Sequence, residues 1–164
     1  MISSIWGKNS MESDGNIAKI SFEPRTRNVK NITFFIKNLR FKCKRCATFC
    51  CKLGGPKLSL NDVERLKKAG CKKVEFLDGA HGSLKNKADG SCALLQIDKE
   101  RHFYECSVYD SRPALCRLYP FHFEKINPSS FRLKILPCRG INRRCGELVD
   151  KRFIVTHLLV ALHD

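Results

Sequence analysis

Cysteine is the residue type through which this sequence is best equipped to do chemistry. The chain has ten cysteines among 164 residues. Four of them fall within nine positions, at Cys43, Cys46, Cys50 and Cys51. Two thiols separated by two residues can reach one metal ion without stretching the backbone, and basic neighbours favour the thiolate form that metals bind. We therefore expect this segment to ligate metal.

A second group of cysteines completes the candidate ligand set. These residues stand at or near the ends of predicted elements, where ligands converge, and they are Cys92, Cys106, Cys116 and Cys138. Because neighbouring side chains of an extended chain point to opposite sides, Cys50 and Cys51 are expected to serve two metals or two corners of one cage. The alternative is that four cysteines bind one centre and the others are buried as small hydrophobic residues. Cys71 and Cys145 fall outside the pattern, and we expect them to be ordinary thiols.

The fold predicted around these ligands is a small α+β domain. Residues 16–164 are expected to form one domain with an irregular, cysteine-rich metal-binding core, and residues 1–15 to form a flexible N-terminus. Runs of β-branched and aromatic residues predict a strand pair at 17–22 and 29–36, a hairpin at 92–97 and 102–109, and a strand at 131–136.

Helices are predicted at three places. A short helix after the first cysteine cluster is expected to begin after an N-cap at Ser59 and to end at Gly70, with Asp62 and Glu64 as surface charges. Pro113 predicts a helical turn over 112–117, capped by Asp110 or Ser111. Apolar residues at helical spacing predict a C-terminal helix over 147–163. Its longest apolar stretch is about half of the roughly 20 residues that a membrane span requires, so we expect no such span.

The cysteines and their neighbours resemble one known family. The resemblance covers residues 41–140 and is carried by Cys43-x2-Cys46-x3-Cys50-Cys51, Gly90-Ser91-Cys92, Cys106-x2-Tyr109-x2-Arg112-Pro113-x2-Cys116-Arg117-x2-Pro120-Phe121, and Cys138. This pattern resembles the YkgJ-type family of cysteine-cluster proteins, the CxxCxxCC-type zinc- or iron-chelating domains. The chain departs from the commonest pattern by placing three residues between Cys46 and Cys50, where two are usual.

The resemblance implies metal binding more strongly than any reaction. Members of the family are often described as iron-sulfur oxidoreductases, and flagellin lysine methylases are counted among their relatives. Four thiolates suit zinc as well as iron, and the family label and the number of thiols favour an iron-sulfur cluster over zinc. Arg112 and Arg117 flank Cys116, where they either donate hydrogen bonds to sulfur or to a bound anion, or hold the loop through backbone carbonyls.

Net charge and composition limit the possible binding partners and the expected cellular compartment. Lys and Arg number 31 against 16 Asp and Glu, a formal charge of +15, which suits RNA but also an ordinary soluble protein with basic faces. The N-terminus lacks the apolar stretch of a secretory signal, so we expect a cytoplasmic protein whose thiols are reduced or metal-bound. No glycine-rich phosphate loop or dinucleotide fingerprint predicts a nucleotide cofactor. His81, His102 and His122 are expected to lie at the surface or to be hydrogen-bonded, and not to bind metal.

Three functions are compatible with these features. The first is a redox-active protein, or one that assists the modification of a protein partner. The second is a structural, zinc-type scaffold that binds RNA or a ribonucleoprotein through its basic surface, and such binding falls steeply with salt. The third is metal handling, which requires a metal that exchanges.

Overall fold

A computed structural model describes residues 15–26, 28–47, 49–78, 82–98, 100 and 103–163. The chain divides into two compact units, one formed by residues 1–37 and 121–136 and the other by residues 38–120 and 137–164. The single domain expected for residues 16–164 stays a prediction. The flexible N-terminus predicted for residues 1–15 lies almost entirely outside the described residues, as do His81 and His102.

Short elements alternate along the described chain. The strands are β1 (Asn16–Phe22), β2 (Val29–Phe34), β3 (Arg40–Phe41), β4 (Leu77–Asp78), β5 (Ser83–Leu84), β6 (Leu95–Asp98), β7 (Phe103–Cys106), β8 (Phe121–Asn127), β9 (Ser130–Ile135) and β10 (Glu147–Leu148). The helices are α1 (Leu60–Lys68), α2 (Lys73–Phe76), α3 (Ala114–Leu118), α4 (Lys151–Phe153) and α5 (Val160–His163). A 3-10 turn covers Tyr109–Ser111, and a π-helical segment covers Ile154–Leu159. This mixture agrees with the predicted α+β class.

The first unit is an antiparallel sheet with the strand order β2-β1-β9-β8. Its apolar positions alternate with polar ones, so that Ile20 and Leu133 are fully buried while Lys19 is exposed, as expected for a sheet with one covered face. The predicted strand pair and the predicted strand near 131–136 are confirmed. Strand β8 is not among the predicted strands, although Phe121 and Phe123 carry the period-2 pattern of a strand.

The second unit contains all ten cysteines and the predicted helix α1. Ser59 caps α1 as predicted, and its hydroxyl accepts a hydrogen bond from the Asp62 backbone N–H at 3.0 Å. The Asp62 carboxylate bonds back to the Ser59 N–H, which completes a capping box. The prediction that Asp62 is a surface charge is wrong, because only 2% of it is exposed. Glu64 does lie at the surface, where it pairs with Lys67.

The predicted hairpin and helical turn of this unit both form, but the predicted cap of the turn is wrong. The hairpin forms from β6 and β7, and it pairs Leu95 with Cys106. The turn at 112–117 is the helix α3, but neither Asp110 nor Ser111 caps it, because both belong to the 3-10 turn and Pro113 is the N-cap residue.

The C-terminal helix begins later than predicted. Residues Glu147 and Leu148 form β10, which pairs with β3, and the helix begins after Asp150, whose carboxylate accepts a hydrogen bond from the Phe153 N–H at 2.8 Å. Its buried side chains include Phe153 and Leu158, on the apolar face that the spacing predicts. None of the helices among the described residues is long and apolar enough to cross a bilayer.

Candidate metal centre

Cysteine side chains from five places in the second unit line one cavity. Its volume is about 50 Å³, several times the roughly 10–15 Å³ that one water-sized sphere occupies. The cysteines that line it are Cys43, Cys46, Cys50, Cys51, Cys92, Cys106, Cys116 and Cys138. All eight residues of the predicted ligand set therefore face one space, while Cys71 and Cys145 are not among its lining residues.

The first cysteine cluster begins directly after β3 and folds back on itself. Arg45 and Ala47 adopt positive φ angles of 53° and 45°, which residues other than glycine rarely adopt. These two residues lie within and just after the Cys43-x2-Cys46 pair, so the backbone turns sharply where the two thiols are brought together. Such backbone strain persists where the surrounding structure demands it, and it often marks a functional site.

Cys138 reaches this cluster because a glycine allows two backbone segments to touch. The Lys42 N–H donates to the Gly140 carbonyl at 3.0 Å, and a Cβ atom on Gly140 would lie 2.4 Å from the Lys42 carbonyl oxygen. The Gly140 N–H donates to the Cys138 sulfur at 3.3 Å. Only a glycine at position 140 leaves room for this approach, which carries Cys138 to the segment that precedes Cys43.

Cys51 and Cys92 form the deepest part of the cavity. They are 8% and 6% exposed, and the Cys92 N–H donates to the Cys51 carbonyl at 2.8 Å. Both belong to the apolar core of this unit, beside Leu66 and Phe76. Cys106 ends β7 opposite Leu95, whose N–H donates to the Cys92 carbonyl. The hairpin therefore delivers Cys106 to the same core.

Asp62 positions the helix that carries Cys116. Its Oδ1 atom accepts a hydrogen bond from the Ala114 N–H at 2.8 Å, at the start of α3, and one from Arg65 at 2.8 Å. A buried carboxylate from α1 thus satisfies a free N–H at the first turn of another helix. Neither contact is evident from the sequence, although the spacing of Ser59 and Asp62 is the signature of a capping box.

The sulfur atoms of two neighbouring lining cysteines are close together. The sulfurs of Cys50 and Cys51 are 3.9 Å apart. Within the described part of the chain, no three Cys, His, Asp or Glu side chains stand in metal-binding geometry. A cysteine reorients its sulfur by rotation about one bond, so the sulfur positions can change without a movement of the backbone.

The proximity of the thiols appears in their pKa values. A hydrogen bond from Cys51 lowers the pKa of Cys50 to about 7 and correspondingly raises the pKa of Cys51. Burial raises the pKa of Cys116 to about 12, and repulsion from Cys92, Cys106 and Cys50 adds to this. Thiols that disfavour each other's ionisation in this way are stabilised as thiolates by a bound cation.

Cationic side chains border the outer part of the cavity. The Arg112 and Arg45 guanidinium carbons lie 3.6 and 3.9 Å from the centre of the Tyr109 ring. Arg112 Nη1 is 3.9 Å from the Cys43 sulfur. Arg112 Nε is buried, and within the described residues it has no hydrogen-bond partner. A donor of this kind beside eight thiols fits a thiolate-bound metal centre, whose sulfurs accept such hydrogen bonds. Arg117, the second arginine predicted to act here, is not among the lining residues.

His122 lies on β8 in the first unit, where it is exposed. A surface position is what the sequence predicts for His122, and its exclusion from metal binding stays a prediction.

The part of the chain that carries the lining cysteines matches a known protein family. The chain is 28% identical over 147 residues to "Uncharacterized protein MJ0661" of Methanocaldococcus jannaschii, covering 80% of this chain and 75% of that protein. No solved structure matches the chain. Residues 42–145 match the model of the CxxCxxCC family, described as "Putative zinc- or iron-chelating domain". These residues include every cysteine that lines the cavity, and the chain belongs to this zinc- or iron-chelating family.

Proposed function

We propose that the eight-cysteine cavity binds metal through thiolate ligands, and that the metal is iron in iron-sulfur form, with zinc as the alternative. The ligands would be Cys43, Cys46, Cys50, Cys51, Cys92, Cys106, Cys116 and Cys138. The observation that carries the proposal is that these residues, separated by up to 95 positions in the sequence, line a single cavity. Ordinary packing gives no reason for eight thiols to meet in this way.

Two hydrogen-bond donors at the cavity support the same reading. The Gly140 N–H already points at the Cys138 sulfur, and the buried Arg112 Nε is without a partner in the described chain. Donors to ligand sulfurs raise the reduction potential of an iron-sulfur centre and stabilise its thiolates. Arg112 would therefore tune the centre, and Arg117 would hold α3, which carries Cys116, in place.

An iron-sulfur centre would supply one-electron transfer. On this proposal, the chain's own residues hold the centre, keep water from its inner ligands Cys51 and Cys92, and leave its Cys43 side open to solvent. An open side suits electron exchange with a protein partner or assistance in that partner's modification. The substrate would then bind near Cys43.

The experiment that tests the metal is anaerobic purification followed by elemental analysis, acid-labile sulfide assay and electron paramagnetic resonance of the reduced protein. The proposal predicts a brown protein with iron and sulfide in equal amounts and a signal that appears on reduction. A colourless protein with stoichiometric zinc would replace the redox role with a structural one.

RNA binding is the second candidate, supported by the formal charge of +15. Tyr109, one of the aromatic residues that line the cavity, has the guanidinium groups of Arg45 and Arg112 against its ring, so these arginines limit the stacking of a base on it. Phosphate contacts from the basic surface would contribute to binding. Filter-binding to a single-stranded RNA at two salt concentrations tests this, and affinity that does not fall with salt would exclude it.

A further inference from the structure

We propose that the eight thiols form two centres of four, an inner centre that stabilises the fold and an outer centre whose metal exchanges with solvent. The inner set is Cys51, Cys92, Cys106 and Cys116, and the outer set is Cys43, Cys46, Cys50 and Cys138. This inference rests on the proposed function, because it assumes that the cavity binds metal. It adds the number of centres, the ligands of each, and a division of roles between them.

The inner set is defined by backbone contacts and by the burial of two of its members. Cys51 and Cys92 are buried, are joined by a backbone hydrogen bond and lie in the apolar core. Cys106 is held beside them by the β6–β7 ladder. Cys116 follows on α3, whose first N–H is held by the buried Asp62, and it lines the same cavity. A centre made by these residues would have two of its ligands in the core, while Cys106 and Cys116 are partly exposed.

The outer set is defined by the contact between residues 42 and 140. That contact carries Cys138 to the first cluster, and its neighbouring thiols are Cys43, Cys46 and Cys50. Cys43 is exposed, and the other three are partly exposed. A metal bound here would have a path to solvent on the Cys43 side.

The vicinal pair divides the two sets. A sulfur separation of 3.9 Å would also suit two ligands of one tetrahedral ion, since metal–sulfur distances are about 2.3 Å. The two cysteines differ in their surroundings. Cys51 is buried, and its backbone carbonyl accepts a hydrogen bond from the Cys92 N–H. Cys50 is half-buried and lies near Cys138. Cys50 also lies near Cys116, so the two centres would be adjacent.

Arg112 lies beside thiols of both sets. A divalent ion, or a cluster with a 2+ core, on four thiolates carries a net charge of about −2. Arg112 stacks on Tyr109 together with Arg45 and approaches the Cys43 sulfur, and its charge also acts on Cys106 and Cys116. Arg112 would therefore offset the negative charge of both centres, while Cys43 stays exposed to solvent.

The test uses Cd²⁺ as a probe, because Cd²⁺ prefers thiolates and reports each site by its own NMR signal. Reduced, metal-free protein is titrated with Cd²⁺, and EDTA is then added. We expect two equivalents per chain and two signals. In EDTA the outer signal should disappear at least about tenfold faster than the inner one, because a buried, fold-coupled site releases metal only on opening.

Paired substitutions assign the signals. Cys43→Ser with Cys46→Ser should remove the fast signal and keep the slow one, and Cys92→Ser with Cys116→Ser should remove the slow one. The matched control is Cys71→Ser with Cys145→Ser, which should keep both. Should the Cys92 and Cys116 variant not fold, the two signals of the unsubstituted protein and the Cys43 and Cys46 variant still carry the test.

Three results would overturn the inference and leave the proposed function standing: one equivalent of Cd²⁺, two signals coupled through a shared thiolate, or equal rates of loss. Anaerobically purified protein that contains neither iron with sulfide nor zinc would overturn the proposed function as well. Metal analysis of the purified protein and the Cd²⁺ titration therefore distinguish the two failures.

Discussion

Two adjacent cysteines that line the cavity have pKa values shifted in opposite directions. Cys50 and Cys51 share a hydrogen bond, which stabilises the thiolate of Cys50 and the thiol of Cys51. This mutual hydrogen bond is the largest cause of the difference between their pKa values, and burial raises the pKa of Cys51 further. The sequence places the two residues side by side, but only the fold decides which of them ionises first.

The first prediction concerns Cys50 in metal-free protein. Its pKa is lowered to about 7, so the reactive thiolate is present above this pH and is lost as the pH falls below it. Burial raises the pKa values of Cys92 and Cys106. Brief alkylation with iodoacetamide, followed by peptide mass spectrometry, should label Cys50 half-maximally near pH 7 and label Cys92 only at higher pH. Equal labelling of the two at neutral pH would contradict this.

The second prediction concerns Arg112. Arg112→Ala removes the guanidinium that approaches Cys43 and stacks on Tyr109. Loss of such an outer contact typically lowers metal affinity by about 10–100-fold, and competition with a coloured chelator measures this. Arg25→Ala, at an exposed turn of the first unit, is the matched loss of one positive charge and should leave the affinity unchanged. A similar loss in both variants would mean that only net charge matters.

At the scale of elements, one buried carboxylate connects two helices. Asp62 joins the start of α1 to the start of α3, and it therefore fixes the position of Cys116. Neither helix is long, so each depends on tertiary contacts more than on its own propensity. A change at Asp62 should consequently be felt at the cavity.

The third prediction concerns this connection. Asp62→Asn keeps the shape but replaces one acceptor oxygen with a donor, and the free energy of unfolding should fall by about 1–3 kcal/mol. Denaturant titration measures the loss, and the Cys116 thiol of the metal-free protein should be alkylated faster. Glu64→Gln, on the exposed side of α1, is the control and should change neither quantity. An unchanged Cys116 rate in Asp62→Asn would show that α3 is held by other contacts.

Elements that depend on local pattern were predictable, and those that depend on distant partners were not. Ser59 and Gly70 delimit α1 in the sequence itself, and the alternation in β1 and β2 is equally local. The two-residue strands β3 and β10 have no pattern of their own and exist because each pairs with the other. The burial of Asp62 likewise depends on a helix about 50 residues away.

The candidate site followed the same division. Its cysteines were identified from spacing and family resemblance. The contacts that order them were not, because the Gly140 approach to Lys42 and the Arg112 stack on Tyr109 join segments that are distant or irregular. The candidate ligand cysteines could therefore be predicted from the sequence, but which of them are neighbours could be seen only in the fold.

At the scale of the whole molecule, metal and fold should be coupled. Binding at a structural thiolate site contributes roughly 10 kcal/mol or more, comparable with a domain's entire stability of about 5–15 kcal/mol. Metal loading also changes the charge: from a formal +15, two centres of about −2 each would leave roughly +11. Loading therefore weakens the attraction of the chain for an acidic partner without abolishing it.

The fourth prediction follows from this coupling and tests the central claim most directly. The measurement is the number of thiols in the freshly purified native protein that react with a thiol-specific chromogenic disulfide, counted against the ten thiols released by denaturant with chelator. Our account predicts that at most Cys71 and Cys145 react promptly in the native protein. Of the eight thiols of the cavity, the four outer ones should react slowly, as their metal exchanges, and the four inner ones should stay protected until metal is removed. Prompt reaction of most of those eight in a folded, unmodified protein would contradict it.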